Sequence, residues 1–279
     1  MNLNAACPWW LAIAIAGTIA ALAWNRRSLR ADGAVAALIV GTVSLHAHVG
    51  WGVLLVLWFV FATLLSRLGG SRKARRVSSI VEKGARRDAW QVLANGGVFA
   101  LASIVEIGRV EGAFGLATSV GSATLAVAAA ASLAASGADT WSTEIGVLYG
   151  GTPWSLRTRA AVPAGTSGAV TLTGSIGGAL GAVLIAALAA LTAVIAPLEI
   201  FAVFIGGVAG ATVDTMIGAF VQDRRHCPRC ALDTERMVHD CGTPTMHHGG
   251  TVRVDNDVVN AMCACAGALT AVAAARVLL

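Results

Sequence analysis

Apolar runs of roughly helix-spanning length alternate along this chain with short polar stretches rich in arginine. A spanning helix needs about 20 mostly apolar residues. Runs of that kind fall at 8–24, 31–49, 51–66, 91–107, 112–136, 170–196, 200–221 and 257–278. The second and third are short for a full crossing, so either can be re-entrant. Alanine and glycine dominate the runs, and small residues let membrane helices approach closely where lipid gives no hydrophobic drive between them. The pattern predicts an all-α integral membrane protein. Residues 1–279 form a single membrane domain, a bundle of about eight transmembrane or re-entrant helices with cytoplasmic polar loops.

Composition agrees. Of 279 residues, 56% are hydrophobic and only 13% charged, with mean hydropathy +0.73. Soluble domains carry about 25% charged residues, and disordered chains carry few apolar ones, so both classes are excluded. The first run has no basic stretch ahead of it, and Asn25-Arg26-Arg27 follow it. That order predicts a retained first span with the N-terminus outside, not a cleaved leader. With that start, 18 of the 20 Lys and Arg fall in loops on one side, and only Arg109 and Arg276 fall elsewhere. Positive loops stay in the cytoplasm, which predicts a multi-pass protein of the cell inner membrane. The net charge of +5 is then no nucleic-acid signal. The cluster SRLGGSRKARRVSSIVEKGARRD (66–88) suits the anionic leaflet, at about 1 kcal/mol per basic residue, and can also recruit an anionic substrate.

Among 15 carboxylates, only Glu106, Glu111 and Glu199 lie on the predicted outer side. The rest of the polar constellation gathers at the inner span ends: Asp139, Thr140, Thr143, Glu144, Asp214, Gln222, Asp255, Asn256, Asp257 and Asn260. Asp214, in GGVAGATVDTMIGAFVQ, has no charged neighbour within seven residues. A charge inside the membrane costs at least about 2.5 kcal/mol, so Asp214 needs a partner, a metal or water. In ADTWSTEIG, Asp139 and Glu144 would diverge by about 140° on an unbroken helix. Three readings stay open: the helix breaks near Ser136-Gly137, the two serve different sites, or Asp139 caps a helix N-terminus.

Downstream, Pro163-Ala-Gly165-Thr166-Ser167-Gly168 precedes an apolar run. A glycine-rich loop at a helix start presents backbone N–H groups and a dipole that bind anions. Arg157 and Arg159 can add the fork that phosphate oxygens prefer. No Gly-Lys-Ser/Thr follows, so this is not a P-loop. Carboxylates for Mg²⁺ beside amides and arginines for phosphate are the equipment of phosphoryl transfer. The predicted cytoplasmic loop 222–256 carries other chemistry. Cys227-x₂-Cys230 and His239-x-Cys241 are two soft pairs suited to a structural, tetrahedral zinc knuckle. Cys7, Cys263 and Cys265 read as small buried hydrophobes, and His46 and His48 as interfacial.

The ordered motifs RRSLRADGAVAALIVGT, RRDAWQVLANGGV, ADTWSTEIG, VPAGTSGAVTLTG, VDTMIGAFVQ and VDNDVVN resemble the membrane family called domain of unknown function ninety-two, or transmembrane protein nineteen. The resemblance covers nearly the whole chain. That family includes a phytyl-phosphate kinase that makes phytyl diphosphate. A fainter likeness links Asp139-Thr140, Gly146-x₂-Tyr149-Gly150 and Pro163-x-Gly165-Thr166-x-Gly168 to CTP-dependent lipid enzymes, the phosphatidate cytidylyltransferases and dolichol kinases. The chain lacks the Lys-Arg-x-x-Lys-Asp signature of the cytidylyltransferases, which argues against CDP-lipid synthesis. The resemblance implies a CTP-dependent phosphotransferase that converts a polyisoprenyl (phytyl-like) monophosphate to its diphosphate. Asp139, Glu144 and Asp214 would hold Mg²⁺. Arg157, Arg159 and Gly165–Gly168 would bind phosphates, with Asn95, Asp257 and Asn260 lining the site. The rival expectation is a transporter of an anion or lipid-linked intermediate, against which a nearly bare outer side argues.

Overall fold

The computed structural model describes residues 3, 5–70, 86–112 and 120–278. Among them are eight α-helices: α1 (Trp9–Asn25), α2 (Ala31–Ala47), α3 (Val49–Arg67), α4 (Ala89–Glu111), α5 (Ser122–Tyr149), α6 (Leu172–Leu191), α7 (Ile200–Phe220) and α8 (Asn256–Leu278). Five are long and apolar enough to cross a membrane: α3, α4, α6, α8, and α7 together with the turn Pro197–Glu199. The chain is an all-α integral membrane protein. Helices α1 and α2 have 17 residues each, a rise of about 26 Å. His48, in extended conformation, separates α2 from α3. Most of the basic cluster at 66–88, and the early part of the apolar run at 112–136, lie outside the described residues.

One boundary differs from the sequence expectation in a way that matters. The fifth span does not stop at 136; α5 continues unbroken to Tyr149. Asp139 and Glu144 therefore stand inside a helix, which removes both the break at Ser136-Gly137 and the capping role for Asp139. A hydropathy reading ends a span at its first charge, whereas a helix continues wherever neighbouring helices meet its polar side chains. Asp255 is the residue that caps: its Oδ1 accepts from the amides of Asp257 and Val258 at 3.0 Å, opening α8. Asp88 and Gln91 form a reciprocal box at the start of α4, satisfying donors that a helix N-terminus leaves over.

Helix α5 is the hub, in contact with α3, α4, α6, α7 and α8. Its stretch from Leu125 to Ala138 is almost all small and almost all buried. That slender cross-section lets α7 approach to backbone contact. A Cβ on Gly210 would collide with the Ala135 methyl and lie 2.6 Å from the Cys263 carbonyl of α8. On the other flank, Gly174, Gly177, Gly178 and Gly181 of α6 rest on the Gly137–Ile145 segment of α5.

Two small antiparallel sheets flank the bundle. The first joins β1 (Trp154–Ser155), β2 (Ala160–Ala161) and β3 (Ala169–Val170) in the order β2-β1-β3; the second joins β4 (Arg224–Cys227), β5 (Leu232–Thr234) and β6 (Met246–Gly249) in the order β5-β4-β6. They sit at the end where the arginine segments also meet. There Arg67 donates to the Arg26 carbonyl at 2.7 Å and to Ser28 Oγ at 2.8 Å, and Arg87 bridges Leu29. The opposite end carries the few polar residues that the sequence gathers there. Buried Glu106 takes a two-pronged contact from Arg109 at 2.8 and 2.9 Å and a bond from Ser122. His46 and His48 reach Glu111 and Glu106.

The Ala135–Gly210 contact yields a direct expectation. Gly210→Ala overpacks the α5–α7 seam and costs about 1–3 kcal/mol, seen as a lower melting temperature in detergent. Gly97→Ala on α4, with nothing within 4 Å of the new methyl, leaves melting unchanged or raises it slightly.

Candidate functional site

The Ala135–Gly210 seam brings two acidic residues face to face one helical turn later. Asp139 lies four residues beyond Ala135 and Asp214 four beyond Gly210, so each carboxylate repeats the facing position of its helix. The two carboxyl groups lie within interaction range of each other. The remaining Asp214 oxygen, Oδ2, is buried and has no hydrogen-bond partner among the described residues. Cys263 of α8 is buried and within electrostatic range of both aspartates. Two facing carboxylates in a place short of water repel unless a proton or a cation lies between them. An orphaned oxygen beside such a pair fits a hard, oxygen-seeking ion such as Mg²⁺.

Glu144 does not join them. On unbroken α5 it turns to a different side, where Arg87 is an electrostatic partner. It still lies within electrostatic range of Asp139. Among the described residues, the sole group of three or more His, Cys, Asp or Glu ligand atoms within 4.8 Å of one another is a cysteine–histidine cluster outside the helices. The trio expected to share one ion is thus a pair with a satellite.

The loop Pro163–Gly168 reaches the same place from outside the bundle. Gly168 has a left-handed backbone (φ 68°), and a Cβ there would overlap Ala219 of α7. Gly218 lies 3.0 Å, Cβ position to amide, from Gly168, and it sits one turn beyond Asp214. The loop therefore rests about 6 Å along the helix from the aspartate pair. It does not open α6 directly, contrary to the sequence expectation. Strand β3 intervenes, and Thr171 caps α6 by accepting from Gly174 N at 3.0 Å. Gly168, not the start of α6, is what meets the aspartates' end of α7. Among the described residues, the amides of Gly165 and Ser167 donate to no protein acceptor.

The other expected residues fall on different footings. Asn95 lies on α4 where Ser136 Oγ donates to its carbonyl at 3.3 Å, one turn before Thr140. On α8, Asn260 lies three residues before Cys263, about 60° round the helix from it, and Asp257 three residues earlier, about 120° from it. Arg159 is exposed and occupies a positive-φ turn (51°). Arg157 is exposed too, but it lies near Arg224.

Four residues that sequence reasoning does not single out belong to the same end. Arg224 donates to the Ala219 carbonyl at 3.2 Å, beneath the loop, and its Nε is buried without a partner among the described residues. Burial first, and then the Arg157 charge, press its pKa downward; an anion between the two arginines would relieve both strains. Glu235 accepts from Ser167 Oγ and, at 2.8 Å, from Gln222 Nε2, so it tethers the loop to the end of α7. Arg87 lies over Phe59 and Trp58, with centroids at 5.4 and 6.0 Å, and donates to Thr63 Oγ1. Cys263 is the fourth. Of these, only Arg87 and Arg224 carry a sequence signal, as arginines directly abutting spans.

The cysteines form a second centre. Cys227 and Cys230 lie on the β4–β5 turn, and His239 and Cys241 on a second turn closed by the Val238–Pro244 bridge. Cys227 Sγ and Cys241 Sγ are 3.6 Å apart, and His239 Nδ1 is 3.3 Å from Cys241 Sγ. Hydrogen bonds, first from Thr243 and then from His239, bring the Cys241 thiol down to about 5, while its bond to Cys241 holds Cys230 up at about 11. Of the remaining cysteines, Cys7 and Cys263 are buried, but Cys265 is exposed rather than buried as expected.

Known proteins share this architecture's sequence. The family described as integral membrane protein DUF92 matches residues 14–268. Protein PGR of Arabidopsis thaliana is 27% identical over 272 residues, covering 89% of this chain and 90% of that protein. The uncharacterized membrane protein MJ0933 of Methanocaldococcus jannaschii is 29% identical, covering 76% of this chain and 83% of its own. Protein VTE6, chloroplastic, of Arabidopsis thaliana is 28% identical over 197 residues, covering 70% of this chain and 57% of its own. No solved structure matches.

The seating of the loop on α7 is open to test. Gly168→Ala meets both an unfavourable backbone conformation and the Ala219 backbone, so it lifts the loop. Limited proteolysis of the purified protein should then cut within 157–171 faster than in the wild type.

Proposed function

This chain belongs to the integral membrane protein family DUF92, and from that premise we propose that it is a CTP-dependent phosphotransferase acting on a polyisoprenyl, phytyl-like monophosphate. Support comes first from one observation: Asp139 and Asp214 face each other from α5 and α7, one turn from a glycine loop with open amides and a pair of arginines. Acidic groups, amides and guanidinium groups gathered at one end of a bundle suit a polyphosphate with its cation. The resemblance to a family containing phytyl-phosphate kinase narrows the acceptor, and the likeness to CTP-dependent lipid enzymes narrows the donor.

In this reading Asp139 and Asp214 hold Mg²⁺, with Glu144 in reserve through Arg87. The ion, when bound, neutralises charge on the transferring phosphoryl group. Arg157, Arg224 and the amides of Gly165 and Ser167 hold the donor phosphates, and Asn95, Asp257 and Asn260 line the approach. An oxygen of the lipid monophosphate attacks the γ-phosphorus of CTP; its bond to the β–γ bridging oxygen breaks, and CDP leaves with that electron pair. No protein base is needed, because the attacking monoester is already an anion near pH 7. Positioning and charge stabilisation carry such a step.

Between α1, α2, α3 and α4 lies a narrow apolar cleft, with Arg87 and Gln91 at its site end. A lipid phosphate drawn to that end would meet Arg87, beside Glu144. The arginine-bearing end faces the cytoplasm in this reading, as charge asymmetry requires, and the membrane is the cell inner membrane.

The transporter reading draws on the buried Glu106 cluster at the far end. Sixteen residues of α5, about 25 Å of helix, separate Ser122 from Asp139, and most of them are apolar and buried. No polar path joins the ends through that segment, and Glu106 is fully engaged by Arg109 and Ser122. The one-sided enzyme accounts for more.

The assay is direct. Purified protein in detergent, given Mg²⁺, CTP and phytyl, farnesyl or geranylgeranyl phosphate, should release the corresponding diphosphate and CDP. Asp139→Asn and Asp214→Asn should each lower the rate by at least about 100-fold with melting temperature retained. Arg224→Gln should raise the KM for CTP by about tenfold, and Arg87→Gln the KM for the lipid phosphate. Absence of product with CTP and every other nucleoside triphosphate, from protein that still binds both ligands, would sink the proposal.

A further inference from the structure

We infer that Cys227, Cys230, His239 and Cys241 bind one structural Zn²⁺, and that this centre acts at a distance by fixing Glu235 as the strut that holds the 163–168 loop against α7. The site's existence does not depend on the phosphotransferase reading; only the strut's consequence for turnover rests on it.

The geometry of the four ligands carries the first half. A tetrahedral zinc with Zn–S near 2.3 Å and Zn–N near 2.0 Å sets its sulfurs about 3.8 Å apart and sulfur to nitrogen about 3.6 Å apart. The measured separations are 3.6 Å for Cys227–Cys241 and 3.3 Å for His239–Cys241, and all four ligand atoms lie within 4.8 Å of one another. A disulfide would bring two sulfurs to ~2.05 Å and leave the third thiol and the imidazole without purpose. The ligands come in two pairs, each from a turn of its own, and the turns pinch toward a common point. Four such ligands leave no open position, so the role is structural.

Apart from the four ligands, the segment is closed by polar contacts such as Arg225 to Thr245 and His247 to Asp223, not by an apolar core. The stretch between α7 and α8 is a three-stranded sheet of three or four residues per strand, and its exposed side chains include Leu232, Met237, Val238 and Met246. So small a unit has little core of its own, and small domains of this kind depend on metal or disulfide closure.

Position carries the second half. Cys227 closes β4 and is paired across the sheet with Leu232; β5 then ends at Thr234, and Glu235 is the next residue. From there its carboxylate accepts from Ser167 and Gln222 and lies within electrostatic range of Asp214. An acid placed so near the aspartate pair adds unwanted negative charge. Set against that charge are the two hydrogen bonds it accepts from the loop and the end of α7. Closure of the turn by metal therefore fixes the register of β5, and β5 fixes the strut.

Three measurements decide the matter, none of them turnover. Elemental analysis of the purified wild type should give about one zinc per chain, and cobalt substitution should give thiolate-to-cobalt charge-transfer absorption. Removing the zinc with a strong chelator should speed hydrogen exchange in 224–249 and also in 163–170, with α5 unaffected. Glu235→Ala should retain the zinc yet speed exchange in 163–170 alone. Protein that holds no transition metal, or whose cysteines titrate as a disulfide, overturns the centre. Zinc present, but with loop exchange indifferent both to its removal and to Glu235→Ala, overturns the strut. Either failure leaves the diphosphate assay free to succeed, and failure of that assay leaves the zinc content untouched.

Discussion

Backbone contact between α5 and α7 through Ala135 and Gly210 is the constraint on which this structure rests. Lipid offers no hydrophobic drive between helices, so association depends on how closely two backbones can come. Alanine, serine and glycine along α5 permit that closeness on several sides at once. One turn on, the same closeness forces Asp139 and Asp214 together. Helix packing and site assembly are here one geometric fact. A bulkier α5 would part the helices and dissolve the site.

The polar end is built in layers outward from that pair. The aspartates sit between helices, and the glycine loop lies on the final turn of α7. From the segment between α7 and α8, Glu235 holds the loop, and Arg224 bonds the Ala219 carbonyl beneath it. The charges alternate from layer to layer: acidic pair, open amides, paired arginines, then the acidic strut. Such alternation suits a phosphate chain with its cation.

The far end obeys a different logic. Glu106 is buried, but Arg109, Ser122 and His48 meet it, leaving a closed network that pins α4 to the starts of α3 and α5. Buried charges satisfied in this manner staple helices together and need no ligand. The aspartate pair, by contrast, keeps an oxygen unanswered among the described residues.

The sequence by itself determined the membrane class, the helical bundle and the gathering of arginines at one end, because hydropathy and charge sidedness are properties of local windows. It also marked Asp214 as a residue in need of a partner, since a lone charge in an apolar run is visible without any fold, and it marked the four candidate zinc ligands by spacing alone. Only the tertiary structure decided what that partner is. Asp139 and Asp214 are 75 positions apart, and no window spans both. Nor could a window show that α5 runs unbroken past Asp139, which sends Glu144 to Arg87 and away from the pair. The roles of Arg224 and Glu235 were hidden for the same reason: each is an ordinary charged loop residue until the loop at 163–168 folds down on α7 and makes it a neighbour.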